Sequence, residues 1–571
     1  MNEMFLPLRN GGELVADALK IHGVKKVFCV PGESFLPILD ALSRTQDEIE
    51  VIVCRHEASA AHMAQAYSRL TGQPGVCLVT RGPGITQASI GLHTAAQDST
   101  PLIMLVGQID SGFTGREAWQ EIDIVQMFQT VVKRVAQVDR IERIPEIISR
   151  SFHSAVSGRP GPCIVALPED LLYKKAQSQD LGKYQKTLTT ARMSDLESLQ
   201  QKLLSAKNPV LILGGSDWSE SSLKDIQIFS ENFELPVCTG FRRQDLFDNT
   251  HRLYCGPLGP GVNPNLVKRI CSADLIIAVG SRLSETSTSA YSLIKAPRPI
   301  QQLIHVHPDS QELGRVFQAD LLIQSSLCEF ARYASSLKPK GKMVWTASAE
   351  HAHSEYQATL IPTNTPGDVN FGSIVRWLSN NLPSNSIITN GAGNYTSWVH
   401  RFYQHRHFNT QLAPTSGTMG YGIPAAIAAK ITYPERTVIC FAGDGCFMMS
   451  EKELATAKQY KLPIVFIIVN NSMYGSIRMH QEINFPGQVF ATSLENPDFI
   501  LLAQAYGLQG YRVTKTEQFE SIFNLAVESE TGAVIELQTD PEAITPSATL
   551  SSLRNSAISK LSPESANFYS L

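Results

Sequence analysis

The sharpest chemical signal in the chain is Phe441-Ala442-Gly443-Asp444-Gly445-Cys446, an apolar run that breaks into Gly-Asp-Gly. About twenty-five residues later Asn470-Asn471 closes a second apolar run, Ile464 to Val469. An Asp and an Asn delivered by the ends of two parallel strands can bind one hard cation, which takes oxygen ligands in octahedral geometry and keeps a phosphate in its shell. The glycines let backbone amides come close to a diphosphate at the start of the next helix. Read singly, Gly-Asp-Gly is a common turn and Asn-Asn a common strand terminus. Together, on strand ends and at this spacing, they point to a metal–diphosphate site.

A second candidate lies near the start of the chain. Arg55-His56-Glu57 stands where the run Val51-Ile52-Val53-Cys54 turns into Ala58-Ser59-Ala60-Ala61-His62-Met63-Ala64. A carboxylate there can share a proton with a ring nitrogen of a bound cofactor. The helix dipole favours an acidic first-turn residue for purely structural reasons, and the segment alone leaves both readings open. A zinc-binding His-Glu-x-x-His helix is excluded, because residues 56–60 read His-Glu-Ala-Ser-Ala. His56 and His62 are expected to cap or pack.

These residues need elements to position them, and the hydrophobic pattern supplies α/β units. Leu14, Ala18 and Ile21 share a helical face. Short β-rich runs follow at Val27–Val30, Val51–Cys54, Val76–Val79 and Leu102–Val106. The alternation recurs with Pro209–Leu213 before Gly214-Gly215 and Leu275–Val279 before Gly280, then with Val438–Phe441 and Ile464–Val469. Continuous apolar strands between helices imply parallel sheets covered on both faces. The expected fold is α/β, with three doubly wound parallel-sheet domains at residues 1–180, 190–340 and 365–550 and a tail at 551–571. Polar, weakly patterned stretches near 174–195 and 338–368 are expected to be surface linkers.

With 571 residues, 43% of them hydrophobic and 18% charged, the chain can bury several cores and is not disordered as a whole. A formal net charge of −4 and the lack of a long basic run argue against nucleic acid as the main partner. Met1-Asn2-Glu3-Met4-Phe5 offers no basic stretch followed by an apolar run, and Leu462 to Val469 is too short to cross a bilayer. A cytoplasmic protein without a membrane partner is expected. The 10 cysteines are scattered without a CxxC pair, several inside apolar runs, and are expected to be reduced core residues.

The Gly-Asp-Gly to Asn-Asn segment resembles the thiamin diphosphate fingerprint. The resemblance widens along the chain through Val30-Pro31-Gly32-Glu33, His56-Glu57, Thr80-Arg81-Gly82-Pro83-Gly84, Gly107-Gln108 and Trp119-Gln120-Glu121. It continues through Gly158-Arg159-Pro160-Gly161-Pro162 and Gly417-Thr418-Met419-Gly420-Tyr421-Gly422. Their order is similar to that in acetolactate synthase catalytic subunits and covers residues of about 10 to 545.

The resemblance implies thiamin diphosphate held through Mg2+. Asp444, Asn471 and the backbone carbonyl of Met473 would be the metal ligands. Gly443, Gly445 and Cys446 would line the diphosphate, with Asn394-Tyr395 at the place of a Gln-His pair often found beside it. Gly417 would offer its carbonyl to the aminopyrimidine, and Met419 would prop the cofactor in a bent shape. Glu57 would protonate the pyrimidine ring, while Gln120 and Gly32 would position or polarise the acceptor. The implied reaction is decarboxylation of a 2-oxo acid such as pyruvate and ligation of the resulting enamine to a second 2-oxo acid. Phe35, Trp119 and Met419 are candidate walls of a dry pocket that speeds loss of CO2. In the family the glutamate reaches a cofactor held by another subunit, so a homodimer or homotetramer is implied. A regulatory subunit is left open.

Departures cluster around the acceptor. This chain has Gly32-Glu33-Ser34 where many acetolactate synthases have Gly-Gly-Ala, and Arg478-Met479-His480-Gln481-Glu482 where biosynthetic enzymes carry a Trp. In the central domain, Gly214-Gly215-Ser216 and Gly280-Ser281-Arg282, with Arg159 as a further contact, resemble a flavin site; whether FAD binds is left open. The main rival is a thiamin diphosphate-dependent decarboxylase, aldehyde carboligase or carbon–carbon lyase. Glyoxylate carboligase is disfavoured because that relative lacks the glutamate. A non-catalytic nucleotide-binding protein or a dehydrogenase is a further alternative, against which stands the lack of a Gly-x-Gly-x-x-Gly turn followed by an acidic residue.

Overall fold

The computed structural model describes residues 6–339 and 341–560; part of the expected tail, 561–571, lies outside them. The chain divides into two compact units, Met1–Leu188 and Thr189–Leu571.

The first unit is built on one sheet of six parallel strands: β1 (Lys26–Cys29), β2 (Glu50–Val53), β3 (Gly75–Val79), β4 (Leu102–Gln108), β5 (Arg134–Gln137) and β6 (Pro162–Pro168). Their order across the sheet is β2-β1-β3-β4-β6-β5. Strands β3, β4 and β6 are buried along their whole length, which is why they read as unbroken apolar runs. Helix Glu57–Thr71 packs on this sheet, with His56 as its N-cap: Nδ1 accepts from the Ala58 N–H at 3.1 Å. His62 is buried inside the same helix, which pushes its imidazole down to about 3. Capping and packing are thus what the two histidines do.

The second unit carries two further six-stranded parallel sheets. One contains β7 (Pro209–Leu213), β8 (Val237–Thr239), β9 (Tyr254–Pro257), β10 (Leu275–Val279), β11 (Gln302–His307) and β12 (Leu321–Gln324), ordered β9-β8-β7-β10-β11-β12. The other contains β13 (Ile387–Asn390), β14 (Gln411–Leu412), β15 (Val438–Gly443), β16 (Val465–Asn470), β17 (Gln509–Val513) and β18 (Ala533–Gln538), ordered β14-β13-β15-β16-β18-β17. The first and last sheets of the chain share one topology, with the strand order reversing between their first and third strands. That reversal opens a crevice at the carboxyl ends of β13 and β15, where α/β sheets bind ligands.

The two sheets of the second unit are joined by paired amides. Gln244 N–H donates to Gln411 Oε1 at 2.8 Å and Gln411 Nε2 returns a bond to Gln244 Oε1 at 2.9 Å. Buried Arg242 donates to the Pro414 carbonyl and so anchors the start of the 414–420 loop.

Three stretches differ from the sequence reading. In the expected linker 174–195, Lys175–Gln177 is a strand paired antiparallel with Leu8–Asn10. The expected linker 338–368 contains helix Thr346–Ala358, with Trp345, Ala349 and Tyr356 buried in the central core; the large apolar side chains outweigh the polar composition around them. The start of the expected tail is also structured: Leu550–Ile558 is a helix capped by Thr549. No disulfide occurs among the described residues, and most cysteines are buried free thiols. Among the described residues no helix is long and apolar enough to cross a membrane.

Candidate cofactor site

Strand β15 delivers Gly443 at its end, and Asp444 begins the short helix Asp444–Phe447. Strand β16 runs alongside in parallel register, Gly443 opposite Val469, and delivers Asn470 and Asn471 at the same edge. Asp444 is 2% exposed; burial pushes its carboxyl up, while the Asn496 amide and the backbone N–H groups of Gly445, Ser472 and Met473 act against that. Asn471 is buried as well, and no group among the described residues hydrogen-bonds its side chain. The Met473 carbonyl accepts from Gly475 N–H at 2.9 Å, which leaves it one lone pair.

These donors fit a hard divalent cation: one carboxylate, one amide oxygen and one backbone carbonyl, with room in the ligand count for phosphate oxygens. Among the described residues no cluster of three His, Cys, Asp or Glu side chains could hold a metal, so a cation here must draw on amide, carbonyl and phosphate oxygens.

The glycines around Asp444 are dictated by close packing. A Cβ on Gly445 would come within 2.6 Å of the Tyr474 ring, and one on Gly443 within 3.0 Å of Tyr395. Cys446 ties three segments together: its Sγ accepts from Gly420 N–H at 3.2 Å and from the Tyr395 hydroxyl at 3.6 Å, and a Cβ on Gly391 would meet it at 2.6 Å. The 414–420 loop, with part-buried Met419 packed against the core, is thereby fixed to the Gly-Asp-Gly turn. Gly417 has φ +68 and open space around its Cβ position, so its requirement is conformational.

Asn394 and Tyr395, both expected beside the diphosphate, border the same strand ends: a Cβ on Gly475 would meet Asn394 Oδ1 at 2.4 Å and Asn471 Nδ2 at 3.0 Å. Asn394 Nδ2 donates to the Ile544 carbonyl at 3.2 Å, and its Oδ1 lies against Gly475. Tyr395 is fully buried beneath Gly443, its hydroxyl accepting from Gly391 N–H at 3.0 Å. It shapes the crevice from below, within the core of the third sheet.

In the first unit Glu57 is the first residue of its helix, partly exposed, and no group among the described residues hydrogen-bonds its carboxylate. The thiol of Cys29 behind it is pushed up to about 12 by burial, with the Glu57 charge adding to that, and so stays neutral. Gly32 lies at the end of β1, where a Cβ would meet Thr80 at 2.7 Å. Gln120 has φ +64, and its carbonyl lies where a Cβ on Gly82 would be 2.5 Å away; the loop carrying Gln120 is laid on the Thr80–Gly84 turn. Arg81 is buried and donates to Glu33 at 3.1 Å, Glu169 at 3.0 Å and the Trp119 carbonyl. Of the three expected walls, Phe35 is wholly buried in the core, Trp119 is 75% exposed and Met419 is intermediate. Phe35 is thus a core residue, drawn in by the short 3-10 turn Glu33–Phe35.

The residues read as a flavin site have local partners. A Cβ on Gly215 would come within 2.1 Å of the Gly280 carbonyl, and one on Gly214 within 2.8 Å of Ser281; the two strand ends press on each other. The Trp218 indole N–H donates to the Gly214 carbonyl at 2.8 Å. Arg159 Nε donates to Ser99 Oγ at 2.8 Å and Nη2 to the Ala96 carbonyl, closing the end of helix Pro83–Asp98.

Sequence reasoning missed Asn496, whose Nδ2 donates to Asp444 Oδ2 at 2.8 Å. Its only local signal is an ordinary Asn-Pro turn before a helix.

Three doubly wound parallel sheets, the last presenting the Asp444 carboxylate and the Asn471 amide at its carboxyl edge, place the chain in the class of α/β proteins that bind ligands at the carboxyl ends of their strands. Comparison with known proteins gives the class its particular form. Three family models match in series: Thiamine pyrophosphate enzyme, N-terminal TPP binding domain, at residues 9–127; its central domain at 196–333; and its C-terminal TPP binding domain at 391–537. The chain is 31% identical to the acetolactate synthase isozyme 2 large subunit of Escherichia coli (strain K12), over 91% of this chain and 94% of the relative. It is 32% identical to the isozyme 3 large subunit of the same organism, over 92% and 93%. It is 30% identical to a probable acetolactate synthase large subunit of Methanocaldococcus jannaschii, over 94% and 93%. The chain belongs to the thiamine pyrophosphate enzyme family, among the relatives of the acetolactate synthase large subunits.

Proposed function

We propose that the protein is an acetolactate synthase-like carboligase, which decarboxylates a 2-oxo acid such as pyruvate and joins the remaining fragment to a second 2-oxo acid. The single observation that carries this reading is that Asp444 and Asn471 directly follow the paired strands β15 and β16 at one sheet edge, in a chain similar over more than nine-tenths of its length to acetolactate synthase large subunits.

Thiamin diphosphate, when bound, supplies the nucleophilic carbon and the electron sink that decarboxylation needs. The roles of the protein's residues are as follows. Asp444, Asn471 and the Met473 carbonyl would hold Mg2+, the ion through which the diphosphate would be bound. Backbone amides at Gly445 and Cys446 would face the diphosphate. Met419, fixed through the Gly420–Cys446 bond, supports the cofactor and keeps water from the reacting carbon. Glu57 keeps a proton at a pyrimidine ring nitrogen. Gly32 and Gln120 border the place of the acceptor. The assembly in this reading is a homodimer or homotetramer in which Glu57 serves the cofactor of another copy, and since the relatives are named large subunits, a smaller companion chain belongs to the same reading.

One observation favours an acceptor without a carboxylate. The buried cation Arg81 is already claimed by Glu33 and Glu169, and Glu33, two-thirds exposed, adds negative charge at the end of β1. The second reading is therefore an aldehyde carboligase or simple decarboxylase on the same cofactor. Incubation with thiamin diphosphate, Mg2+ and pyruvate, followed by proton NMR, separates them. Acetolactate supports the first reading; acetaldehyde, or ligation only when an aldehyde is supplied, overturns it in favour of the second. Repeating the assay with FAD tests whether flavin contributes.

A further inference from the structure

Asn496 is remote in sequence from both metal-site strands, yet its amide is built into them. One hydrogen of Nδ2 goes to Asp444 Oδ2 at 2.8 Å and the other to Asn470 Oδ1 at 3.1 Å. Asn470 in turn donates from Nδ2 to Glu536 Oε1 at 2.7 Å, and Glu536, 2% exposed on β18, accepts at Oε2 from Arg512 Nε at 2.7 Å. Arg512 on β17 closes the circuit by donating from Nη2 to Asp498 at 3.1 Å, two residues beyond Asn496. Asp498 also caps helix Phe499–Ala505 through the N–H groups of Ile500 and Leu501.

The direction of every bond in this circuit is determined. A guanidinium has only donors, so Glu536 accepts from Arg512. Glu536 then takes the NH2 end of Asn470, which turns the Asn470 oxygen toward Asn496. Asn496 must present its own NH2 to that oxygen, and the same nitrogen meets Asp444. A flipped Asn496 amide would set its oxygen against two acceptors at once. The circuit thus delivers a donor, and never an acceptor, to Oδ2 of Asp444.

A carboxylate that ligates a metal is in turn held by hydrogen bonds that fix its orientation, and loss of such a partner weakens metal binding while leaving the ligand itself in place. We propose that Asn496 is a positioning residue of the metal site: its bond to Oδ2 adds a side-chain donor to the backbone N–H groups of Gly445, Ser472 and Met473 that hold the Asp444 carboxylate, and Arg512, Glu536 and Asn470 set the orientation of Asn496. The proposal rests on the reading of Asp444 as a ligand of the cation that carries thiamin diphosphate. Mg2+ demands near-ideal octahedral geometry whereas Ca2+ accepts a flexible shell, so a loosened carboxylate penalises Mg2+ more than Ca2+.

The test is calorimetric titration of thiamin diphosphate into the full-length protein across a series of fixed Mg2+ or Ca2+ concentrations, for the wild type, Asn496→Ala, Glu536→Gln and Asp444→Ala. The expected result for Asn496→Ala is an Mg2+ requirement raised roughly ten- to a hundredfold, a Ca2+ requirement raised by less than about threefold, and near-normal thiamin diphosphate affinity at saturating Mg2+. Glu536→Gln, two bonds away, shows the same Mg2+-over-Ca2+ bias more weakly and keeps the proposal testable if Asn496→Ala does not fold. Unchanged Mg2+ dependence in folded Asn496→Ala, or equal loss for both cations, overturns the positioning role. Unchanged Mg2+ dependence in Asp444→Ala overturns the metal reading itself, so the two failures are distinguishable.

Discussion

Replacing Arg554 by Met removes one clasp from a fully buried carboxylate and so measures what docks the C-terminal helix. Glu482, on helix Gly475–Asn484, is 0% exposed and receives Arg554 Nε at 2.7 Å on Oε2 and Arg554 Nη2 on Oε1. It also pairs with Arg478 and accepts from Gly487 N–H at 3.0 Å. Burial alone would raise this carboxyl, but Arg554, the Gly487 N–H and the Arg478 charge outweigh it and bring it from 4.5 down to about 2. At about 1.4 kcal/mol per decade that fall is worth roughly 3 kcal/mol for the whole set of partners. The Arg554 side chain is 34% exposed, and screening there leaves roughly 1–2 kcal/mol as its own share.

The expected result for Arg554→Met at neutral pH is a loss of about that size in the local stability of Leu550–Ile558, read by amide hydrogen exchange. Glu482→Gln costs more, about 3–5 kcal/mol, because it leaves buried Arg478 without its carboxylate. A carboxyl held below its unfolded value contributes in full above about pH 4.5, and its contribution is lost as pH falls toward about 2. The difference between wild type and Arg554→Met therefore shrinks across that window. Equal costs for the two substitutions, unchanged protection of the helix in Arg554→Met, or a difference that persists at pH 2 would refute the reasoning.

Other substitutions separate roles within the site. Glu57→Gln should leave cofactor binding largely intact and slow exchange of the reacting proton of bound thiamin diphosphate by about 10²- to 10⁴-fold; a wild-type exchange rate measured by NMR removes Glu57 as the proton carrier. Tyr395→Phe strands the buried Gly391 N–H and should cost about 1–3 kcal/mol in denaturant unfolding with little change in thiamin diphosphate affinity; the reverse pattern would make Tyr395 a cofactor contact. Gly417→Ala meets only a left-handed backbone and should cost about 1–2 kcal/mol, while Gly420→Ala, with φ +77 and Met449 Cβ at 3.0 Å, should cost more; thermal melts giving the opposite order would show that the loop is not held as described.

How much of this was legible in the sequence depends on range. The strand runs Val76–Val79, Leu102–Val106 and Ile464–Val469 are strands, because a parallel strand covered on both faces must be apolar throughout and its neighbours must be helices. For the same reason the residue after such a strand has only one place to go, the carboxyl edge of the sheet, and Asp444 and Asn471 were readable as neighbours before any contact was known. Glu57 was readable from its segment as a first-turn residue, and its reading as a proton carrier came from the resemblance, since its helix position satisfies it either way. The depth at which Tyr395 and Phe35 lie was not readable, because a motif position says which residue borders a site in a relative, whereas burial depends on how the turn beneath it folds here.

Local periodicity and strand direction were enough to give the α/β class, the three parallel sheets and the sheet edge at which Asp444 and Asn471 stand. Tertiary structure alone decided that Asn496 would meet Asp444, that Glu536 and Arg512 would stand behind them, and that Arg554 would clasp Glu482. Those partners lie 52, 26, 66 and 72 residues from the groups they touch, in chain order from Asp444–Asn496 through Asn470–Asn496 and Asn470–Glu536 to Glu482–Arg554. Asn, Glu and Arg are ordinary surface residues, and nothing in their spacing marks them. They pair because a buried polar group must find a partner wherever the packed chain brings one within reach.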